Sequence, residues 1–460
     1  MSEIYNKFIE DSEVKSFDLA HRATIRKNIS QYEKNFSKGK LQYKNLEQAK
    51  KRVASAKHKA INELDKYLVE FEANFSARGG KIIWAPTAEE AIKEILAILR
   101  KYDAKTVVKS KSMITEELEL NEDLEKAGLK VLETDLGEFI VQIANEKPYH
   151  IITPIMHKSK EDVAELFNEK FGTSKEATPE EITSYVRKLL REQFTSADVG
   201  ITGANFLIAD IGGIALTENE GNALMCMSFP QVHIAIAGVD KMIPSMKDLD
   251  NIWPLLATHG TGQRVTVYNT IITGPRQDYE TEGPVEMYVV LLDNGRSELL
   301  KHTEQRRAMS CIRCGACLNF CPIYKNIGGH AYNTTYSGPI GSVITPHFRG
   351  MNEFKHLSFA SSLCGRCTEV CPVNINLHEL LLFNRRDSVK RGFSTGTDKL
   401  IQFVFKKAFM NRKLMDFGNV KLKNYTLRKV VTKFWGPYRD LPQLKPKSFN
   451  KMWKAQRGVE

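Results

Sequence analysis

Seven of the eight cysteines lie in two short runs in the last third of the chain, and their spacing is typical of metal-cluster ligands. The first run, Cys311–Pro322, has the pattern C-x2-C-x2-C-x3-C-P, which is used to bind iron–sulfur clusters. The second run, Cys364–Pro372, repeats the ending C-x2-C-x3-C-P, but Ser361 stands in place of its first cysteine. A zinc site made of two C-x2-C pairs would explain neither the third cysteine of the first run nor the two Cys-Pro endings. The runs therefore predict iron–sulfur clusters and one-electron chemistry.

In such runs three cysteines bind one cluster, and the fourth, followed by proline, binds the other cluster. Gly315 and Gly365 fill gaps between cysteines and let backbone amides approach the sulfurs. We therefore expect two [4Fe–4S] clusters. The first would be bound by Cys311, Cys314, Cys317 and Cys371, and the second by Cys321, Cys364 and Cys367.

The second cluster lacks a fourth thiolate. A serine oxygen is a harder ligand than a thiolate and loses its proton less readily. We therefore rank Ser361 below water or a histidine as the fourth ligand, and we expect the fourth iron to be labile in air. The histidines in this part of the chain are His330, His347, His356 and His378, each of which could equally be a packed or solvated side chain.

The chain of 460 residues is long enough for two or three domains. Outside the runs, Cys226 sits in an apolar stretch and is expected to be buried, so no disulfide framework is predicted, which fits a reducing compartment. The polar N-terminus and the lack of a long apolar stretch predict a cytoplasmic protein. Residues 385–460 contain 20 Lys and Arg against 5 Asp and Glu, so the net charge of +11 comes from this segment.

The hydrophobic patterns divide the chain into four regions. Residues 1–79 form an N-terminal helical region, and 80–300 form an α/β domain whose alternating strands and helices predict a mostly parallel sheet. Residues 301–390 bind the clusters and end in a helix over Leu377–Val389. Residues 391–460 form a basic, aromatic C-terminal region. The predicted strands are Lys81–Trp84, Thr106–Lys109, Lys130–Glu133, Ile151–Pro154, Ala197–Thr202, Ile214–Thr217, Val232–Ala237 and Val285–Leu292, and the helices among them are Thr87–Lys101, Thr115–Ala127, Lys160–Phe171 and Pro179–Glu192.

Several short segments of the sequence, together with the two cysteine runs, resemble those of one family. They are Val108–Met113, Glu133–Glu138, Gly200–Phe206, Glu218–Asn222 and Gly338–Gly341. In their order and their residues these segments resemble the lactate utilization protein B family, the iron–sulfur subunit of bacterial L-lactate oxidation. The resemblance implies a lactate-utilization α/β domain similar to the folds of CoA transferases and ribose-5-phosphate isomerase. A two-cluster ferredoxin-like α-helical domain would follow it. It also implies electron transfer during conversion of lactate to pyruvate, with two partner subunits.

Two features of the α/β domain could bind a ligand. The loop Glu218–Asn222 is loosely similar to the CoA-transferase loop whose glutamate is the nucleophile, but we favour a plain turn, because no partner base can be named. Arg276 and Arg296 could bind a carboxylate such as that of lactate, or could brace loops.

These features leave more than one function open. No dinucleotide motif is present, so we expect lactate to be dehydrogenated on a partner and this chain to carry electrons. The alternative is a self-contained enzyme with acyl or isomerase chemistry and structural clusters. A redox regulator on nucleic acid ranks last. The basic C-terminal region is expected to dock a partner or the inner face of the membrane, rather than nucleic acid.

Overall fold

Four helices precede the first strand in the computed structural model, which describes residues 3–430 and 440–458. They are α1 Glu3–Phe17, α2 Leu19–Lys40, α3 Leu46–Asn62 and α4 Leu64–Ser76. Asp18 caps α2 and Asn45 caps α3, because each side chain accepts a hydrogen bond from the backbone N–H three residues later. Apolar residues at helical spacing, such as Ile25 and Phe36, are buried. The helical character predicted for this region is confirmed.

The strands that follow form two sheets. Their bounds are β1 Lys81–Ala85, β2 Thr106–Lys109, β3 Lys130–Glu133, β4 Val199–Gly203, β5 Phe206–Ile208, β6 Gly213–Glu218, β7 Val232–Gly238, β8 Met242–Ile243, β9 Tyr268–Ile272 and β10 Glu286–Leu292. Six strands form a sheet in the order β1-β10-β7-β4-β2-β3, in which every neighbouring pair is parallel. The predicted parallel sheet is therefore confirmed. The other four form a mixed sheet in the order β8-β5-β6-β9.

Helices pack on both faces of the parallel sheet. They are α5 Ala88–Lys101, α6 Met113–Glu117, α7 Leu120–Lys126, α8 Leu136–Ile143, α9 Lys160–Phe171, α10 Pro179–Ser196 and α11 Asn222–Ser228. A further helix, α12 Leu249–Gly260, packs against α2 and α3. Alternate residues of β7 point to opposite faces. Ile234 and Ile236 pack with residues of α5 and α7, whereas Ala235 and Ala237 pack with residues of α4. All of β7 is buried, as expected for an inner strand of a parallel sheet.

Two predicted elements are wrong. Ile151–Pro154 forms bends rather than a strand, because Nδ1 of His150 accepts hydrogen bonds from the backbone N–H groups of Ile152 and Thr153. Those amides cannot then pair with a neighbouring strand. The single helix predicted over Thr115–Ala127 is divided between α6 and α7, because Glu119 adopts a left-handed φ of 51° between them.

The region that carries the cysteine runs is helical, and most of its helices are short. They are α13 Arg296–Leu300, α14 Ala316–Asn319, α15 Tyr324–Ile327, α16 Gly338–Phe348, α17 Met351–Phe359, α18 Arg366–Glu369 and α19 Leu377–Lys390. Short 3-10 helices are also found in the chain at Ala209–Ile211, Val239–Lys241, Met246–Asp248, Gln305–Ser310 and His330–Tyr332. Buried side chains of this region, among them Leu318 and Ile344, share one core with residues of α1 and α2 such as Phe8 and Ile29.

The chain forms two units, residues 1–388 and 389–460. The second unit contains α20 Gly396–Met410, α21 Arg412–Asp416, α22 Val420–Val430 and α23 Phe449–Arg457. Residues 440–448 form neither helix nor strand, as Pro442 and Pro446 predict. Many large apolar side chains of this unit are exposed, among them Leu400, Phe403, Val404, Phe409, Phe417 and Trp453. Phe434, Trp435, Pro437 and Tyr438, which contribute to the predicted basic, aromatic region, lie outside the described residues.

Candidate metal centre and adjoining cavity

The two cysteine runs share one backbone conformation. In the first run Arg313 and Gly315 have left-handed φ values of 58° and 74°, and the short helix α14 follows. In the second run the corresponding residues, Leu363 and Gly365, have values of 54° and 79°, and α18 follows. Left-handed residues on both sides of a cysteine curl the chain tightly, which brings neighbouring thiols towards a common centre. Each run is therefore a tightly curled loop that suits cluster binding.

Four cysteines line one small apolar cavity. They are Cys311, Cys314, Cys317 and Cys371, the same four that the sequence assigns to a first cluster. Ile340 and Leu377 are among the apolar residues that complete the lining. Burial raises the pKa of the Cys371 thiol to about 11, so a thiolate is costly here unless a metal compensates its charge. Four soft donors in a dry cavity fit an iron–sulfur cluster.

The other three cysteines form a second group nearer the solvent. Cys364 is exposed, Cys321 is half-buried and Cys367 is buried. Burial, together with the neighbouring Cys321 and Cys364, raises the pKa of the Cys367 thiol to about 12. These three side chains are therefore close enough to interact, and they are more accessible than the first group.

Ser361 has the same place in the second run that Cys311 has in the first. The backbone N–H of Arg313 donates a hydrogen bond to Sγ of Cys311 at 3.4 Å. The backbone N–H of Leu363 donates to Oγ of Ser361 at 3.1 Å. The local fold is thus repeated with an oxygen in place of a sulfur.

The four histidines considered as ligands make their hydrogen bonds away from the cysteines. His330 bonds to the carbonyl oxygen of Lys147, His347 to Oδ1 of Asn384, His356 to the carbonyl oxygen of Glu353, and His378 to Oγ1 of Thr368. Of these, His378 is tied most directly to the second run, because Thr368 directly follows Cys367. A histidine ligand for the second group stays a prediction.

A larger cavity, of about 350 Å³, lies at the carboxyl edge of the parallel sheet. Its lining includes Ser110–Ser112 after β2, Gly203–Asn205 at the end of β4, and Lys241 shortly after β7. Parallel α/β sheets bind their ligands at this edge. Ile151 and Arg313 line both this cavity and the cysteine cavity. The larger cavity therefore adjoins the first group of cysteines.

The predicted loop Glu218–Asn222 contributes to the larger cavity, but its two glutamates differ. Both carboxylate oxygens of Glu218 accept hydrogen bonds from backbone N–H groups at the start of α11, at 2.7 and 2.9 Å. Glu218 therefore stabilises the turn. Glu220 has no ion pair with the described residues. Burial raises the pKa of its carboxyl group, and the nearby Asp135 adds to this effect. Glu220 is the carboxyl group of this loop that remains available for chemistry.

The two predicted arginines are not carboxylate-binding residues of an open site. Arg276 is on a loop, does not line the cavity, and donates to the carbonyl oxygen of Thr281. Arg296 is 1% exposed and forms a bidentate ion pair with Glu117 at 2.9 and 2.8 Å. Its Nε donates to Asp240 at 2.7 Å. Arg296 therefore stabilises the interior of the protein through these ion pairs.

Comparison with known proteins identifies both halves of this arrangement. Residues 68–292 match the LUD domain and residues 307–375 match the 4Fe-4S dicluster domain. The chain is 44% identical to lactate utilization protein B of Bacillus cytotoxicus over 390 residues, which cover 84% of this chain and 82% of that protein. It belongs to the lactate utilization protein B family. The corresponding protein of Bacillus cereus strain AH820 is also 44% identical, over 83% of this chain and 81% of its own length.

Family membership confirms the predicted fold class, an α/β LUD domain followed by a 4Fe-4S dicluster domain. The boundaries of the four predicted regions stay predictions. A crystal structure of a DUF162 family protein from Deinococcus radiodurans aligns with 50% of this chain and 98% of its own, at 13% identity, but its TM-score of 0.29 is too low to support a comparison of folds. Among the described residues, no helix is both long and apolar enough to cross a bilayer.

Three residues of the larger cavity were missed by the sequence analysis: Asp240, Lys241 and Arg313. Although burial raises the pKa of Asp240, the guanidinium groups of Arg296 and Arg313 hold that pKa well below its usual range. A usable signal was present, because Asp240 and Lys241 interrupt a long apolar stretch directly after a buried strand.

Proposed function

We propose that this chain is the electron-transfer subunit of a complex that oxidises L-lactate to pyruvate. The relatives are named for lactate utilization, and the chain carries a 4Fe-4S dicluster domain. The observation that supports the proposal most is the placement of the two cysteine groups. One group lines a buried cavity beside the larger cavity, and the other group includes the exposed Cys364. Such a pair suits a path for electrons from the interior to the surface.

In this proposal the first group binds one [4Fe–4S] cluster through Cys311, Cys314, Cys317 and Cys371. The second group binds another through Cys321, Cys364 and Cys367. When bound, each cluster would accept and release one electron at a time. The protein's own contribution is to exclude water around the first group and to leave the second accessible, which favours exchange with a partner.

The fourth iron of the second cluster would be labile. Ser361 stands where a fourth cysteine would stand, and its hydroxyl is a poorer ligand than a thiolate. Water or a histidine would complete the coordination in the reduced, air-free protein. Exposure of Cys364 gives oxidants access to this position.

The proposal includes two partner subunits, one of which would dehydrogenate lactate. A hydride cannot be taken by a thiolate-bound cluster alone, and the chain has no dinucleotide motif. The basic C-terminal residues would dock a partner or the inner face of the cytoplasmic membrane. Their exposed phenylalanines and interspersed lysines support such a contact.

The larger cavity supports one alternative, a self-contained enzyme in which Glu220 acts as nucleophile or base. A single experiment separates the two functions. The chain is purified without air, alone and with its co-purifying subunits, and L-lactate is added while visible absorbance is recorded. The proposal predicts bleaching of the clusters only when the partners are present. Turnover of a substrate by the chain alone, with no change in cluster absorbance, would favour the alternative.

A further inference from the structure

Positively charged side chains gather at the end of the larger cavity that adjoins the first group of cysteines. Lys241, Arg296 and Arg313 all line this cavity. Arg296 is neutralised by Glu117 and Asp240. Lys241, in contrast, has neither a hydrogen bond nor an ion pair through its ammonium group with any described residue. Lys241 is half-buried, so this unpaired ammonium lies at the cavity lining where a ligand can reach it.

The position of Lys241 is set by the buried side chain of Lys57. Nζ of Lys57 donates to the carbonyl oxygens of Asp240 and Met242, at 2.6 and 3.0 Å. These two bonds flank Lys241 and fix the turn that carries it. The unpaired lysine is therefore held by the fold at the lining of the cavity, and is not a freely moving surface residue.

Arg313 supplies a second incompletely paired cation at the same end. Its side chain is 7% exposed, and its one ion pair with a described residue is with Asp240 at 3.4 Å. Its Nη1 is buried and has no hydrogen-bond partner among the described residues. Its guanidinium also lies over the ring of Tyr336, 4.8 Å from the centroid. A planar cation with an unused donor is well suited to a carboxylate.

The acidic residues of the cavity do not cancel these charges. Both oxygens of Asp240 are already occupied, one by Arg296 and one by Arg313. Both oxygens of Glu218 accept backbone hydrogen bonds. Burial and the nearby Asp135 raise the pKa of Glu220, whereas the charged groups that act on Lys241 are Asp240, Arg313, Cys311 and Arg296. The cavity is therefore polarised, with its cationic end beside the cysteines.

We propose that this cationic end binds a short carboxylate anion, a 2-hydroxy or 2-oxo acid, through Lys241 with Arg313 beside it. The choice of acid rests on the proposed function in lactate oxidation, whereas the preference for a carboxylate rests on the unpaired donors. The cavity is larger than a three-carbon acid, so water would share it with the ligand.

The site would be coupled to the first cluster. The backbone N–H of Arg313 donates to Sγ of Cys311, while its side chain lines the carboxylate site. An anion beside the Arg313 side chain would oppose addition of an electron to the cluster and so lower its reduction potential. Because coupling is reciprocal, the acid would bind more tightly when the cluster is oxidised.

The test uses the full, cluster-loaded chain without partners. Binding of pyruvate and lactate is measured by calorimetry under anaerobic conditions, with the uncharged lactamide as the matched neutral probe. Saturable binding of at least one acid and none of lactamide is expected. Lys241→Met should weaken that binding about tenfold or more, since a charge-assisted hydrogen bond is lost. Lys247→Met is the matched control, because Lys247 is exposed and lies outside the cavity. Iron content should be unchanged in both variants.

A second measurement needs no variant. Redox titration of the wild-type chain should show a lower potential for one cluster with the bound acid than with lactamide. The proposal is overturned if neither acid binds, if lactamide binds equally well, if the potential does not respond, or if Lys241→Met binds like the wild type. None of these measurements requires electron transfer from a partner. A chain that binds the acids but is never reduced in the complex would instead refute the proposed function.

Discussion

Replacing Ser361 by cysteine should convert the second cluster from an air-sensitive to an air-stable one. The backbone around Ser361 repeats that around Cys311, with φ values of 54° and 58° at the residue two positions later. The N–H group that donates to Oγ in one run donates to Sγ in the other, at 3.1 and 3.4 Å. A thiol at position 361 would therefore be placed as the Cys311 thiol is placed, without rearrangement of the loop.

The expected size of the effect is one iron per chain. Two four-iron clusters contain about eight irons, and loss of the labile iron in air leaves about seven. Ser361→Cys should contain about eight irons before and after exposure to air. Ser361→Ala should behave like the wild type, because we rank the serine oxygen below water or a histidine as a ligand.

The assay is iron analysis together with electron paramagnetic resonance of the three proteins, before and after air. The wild type and Ser361→Ala should develop a three-iron signal in air, and Ser361→Cys should not. If Ser361→Ala alone loses the second cluster, serine is a true ligand and our ranking is wrong. If Ser361→Cys still loses an iron, the labile position is not the one that faces residue 361.

Other substitutions test the remaining parts of the structure. Cys314→Ala should lose one cluster by iron analysis while far-ultraviolet dichroism shows the α/β domain folded, since all run cysteines lie after β10. Deletion of residues 392–460 should weaken docking to partners or anionic vesicles without loss of iron. The effect should be largest at low salt, because the interaction between exposed charges is screened over about 10 Å at 0.1 M. Burial lowers the pKa of His233 in the folded chain to about 3. As the pH falls below about 6.5, this histidine is therefore protonated in the unfolded chain but not in the folded chain. Urea titrations should show about 2 kcal/mol less stability from this residue at pH 5 than at pH 7, a loss that His233→Gln removes. Arg296→Met should lower stability by about 3–5 kcal/mol in the same titration, because Glu117 stays buried without a cation and Asp240 keeps only its longer ion pair with Arg313.

Much of the fold could be predicted because local signals agreed with the tertiary structure. The strands Thr106–Lys109 and Lys130–Glu133 and the helix Lys160–Phe171 have the predicted bounds. Each is a short periodic segment flanked by turn or capping residues, such as Ser159 before the helix. Prediction failed at Ile151–Pro154 because a histidine side chain, and not a strand, receives the backbone hydrogen bonds.

The candidate metal centre could be predicted from spacing, because thiolates on one cluster must be close in sequence or follow a fixed pairing rule. The larger cavity could not be predicted from the sequence. Its charged residues lie far apart in the chain, and they meet only because β4, β7 and β10 end at one edge of the sheet. Lys241 is informative only once its lack of a partner is seen, and this cannot be read from a single sequence.

Rapid mixing of L-lactate with the complete complex, followed by freeze-quench paramagnetic resonance, tests the proposed electron transfer most directly. Both clusters of this chain should become reduced at least as fast as the complex turns over, and Cys314→Ala should abolish turnover while the partner still becomes reduced. Steady turnover with both clusters remaining oxidised, or full turnover in Cys314→Ala, would contradict the proposed role in electron transfer.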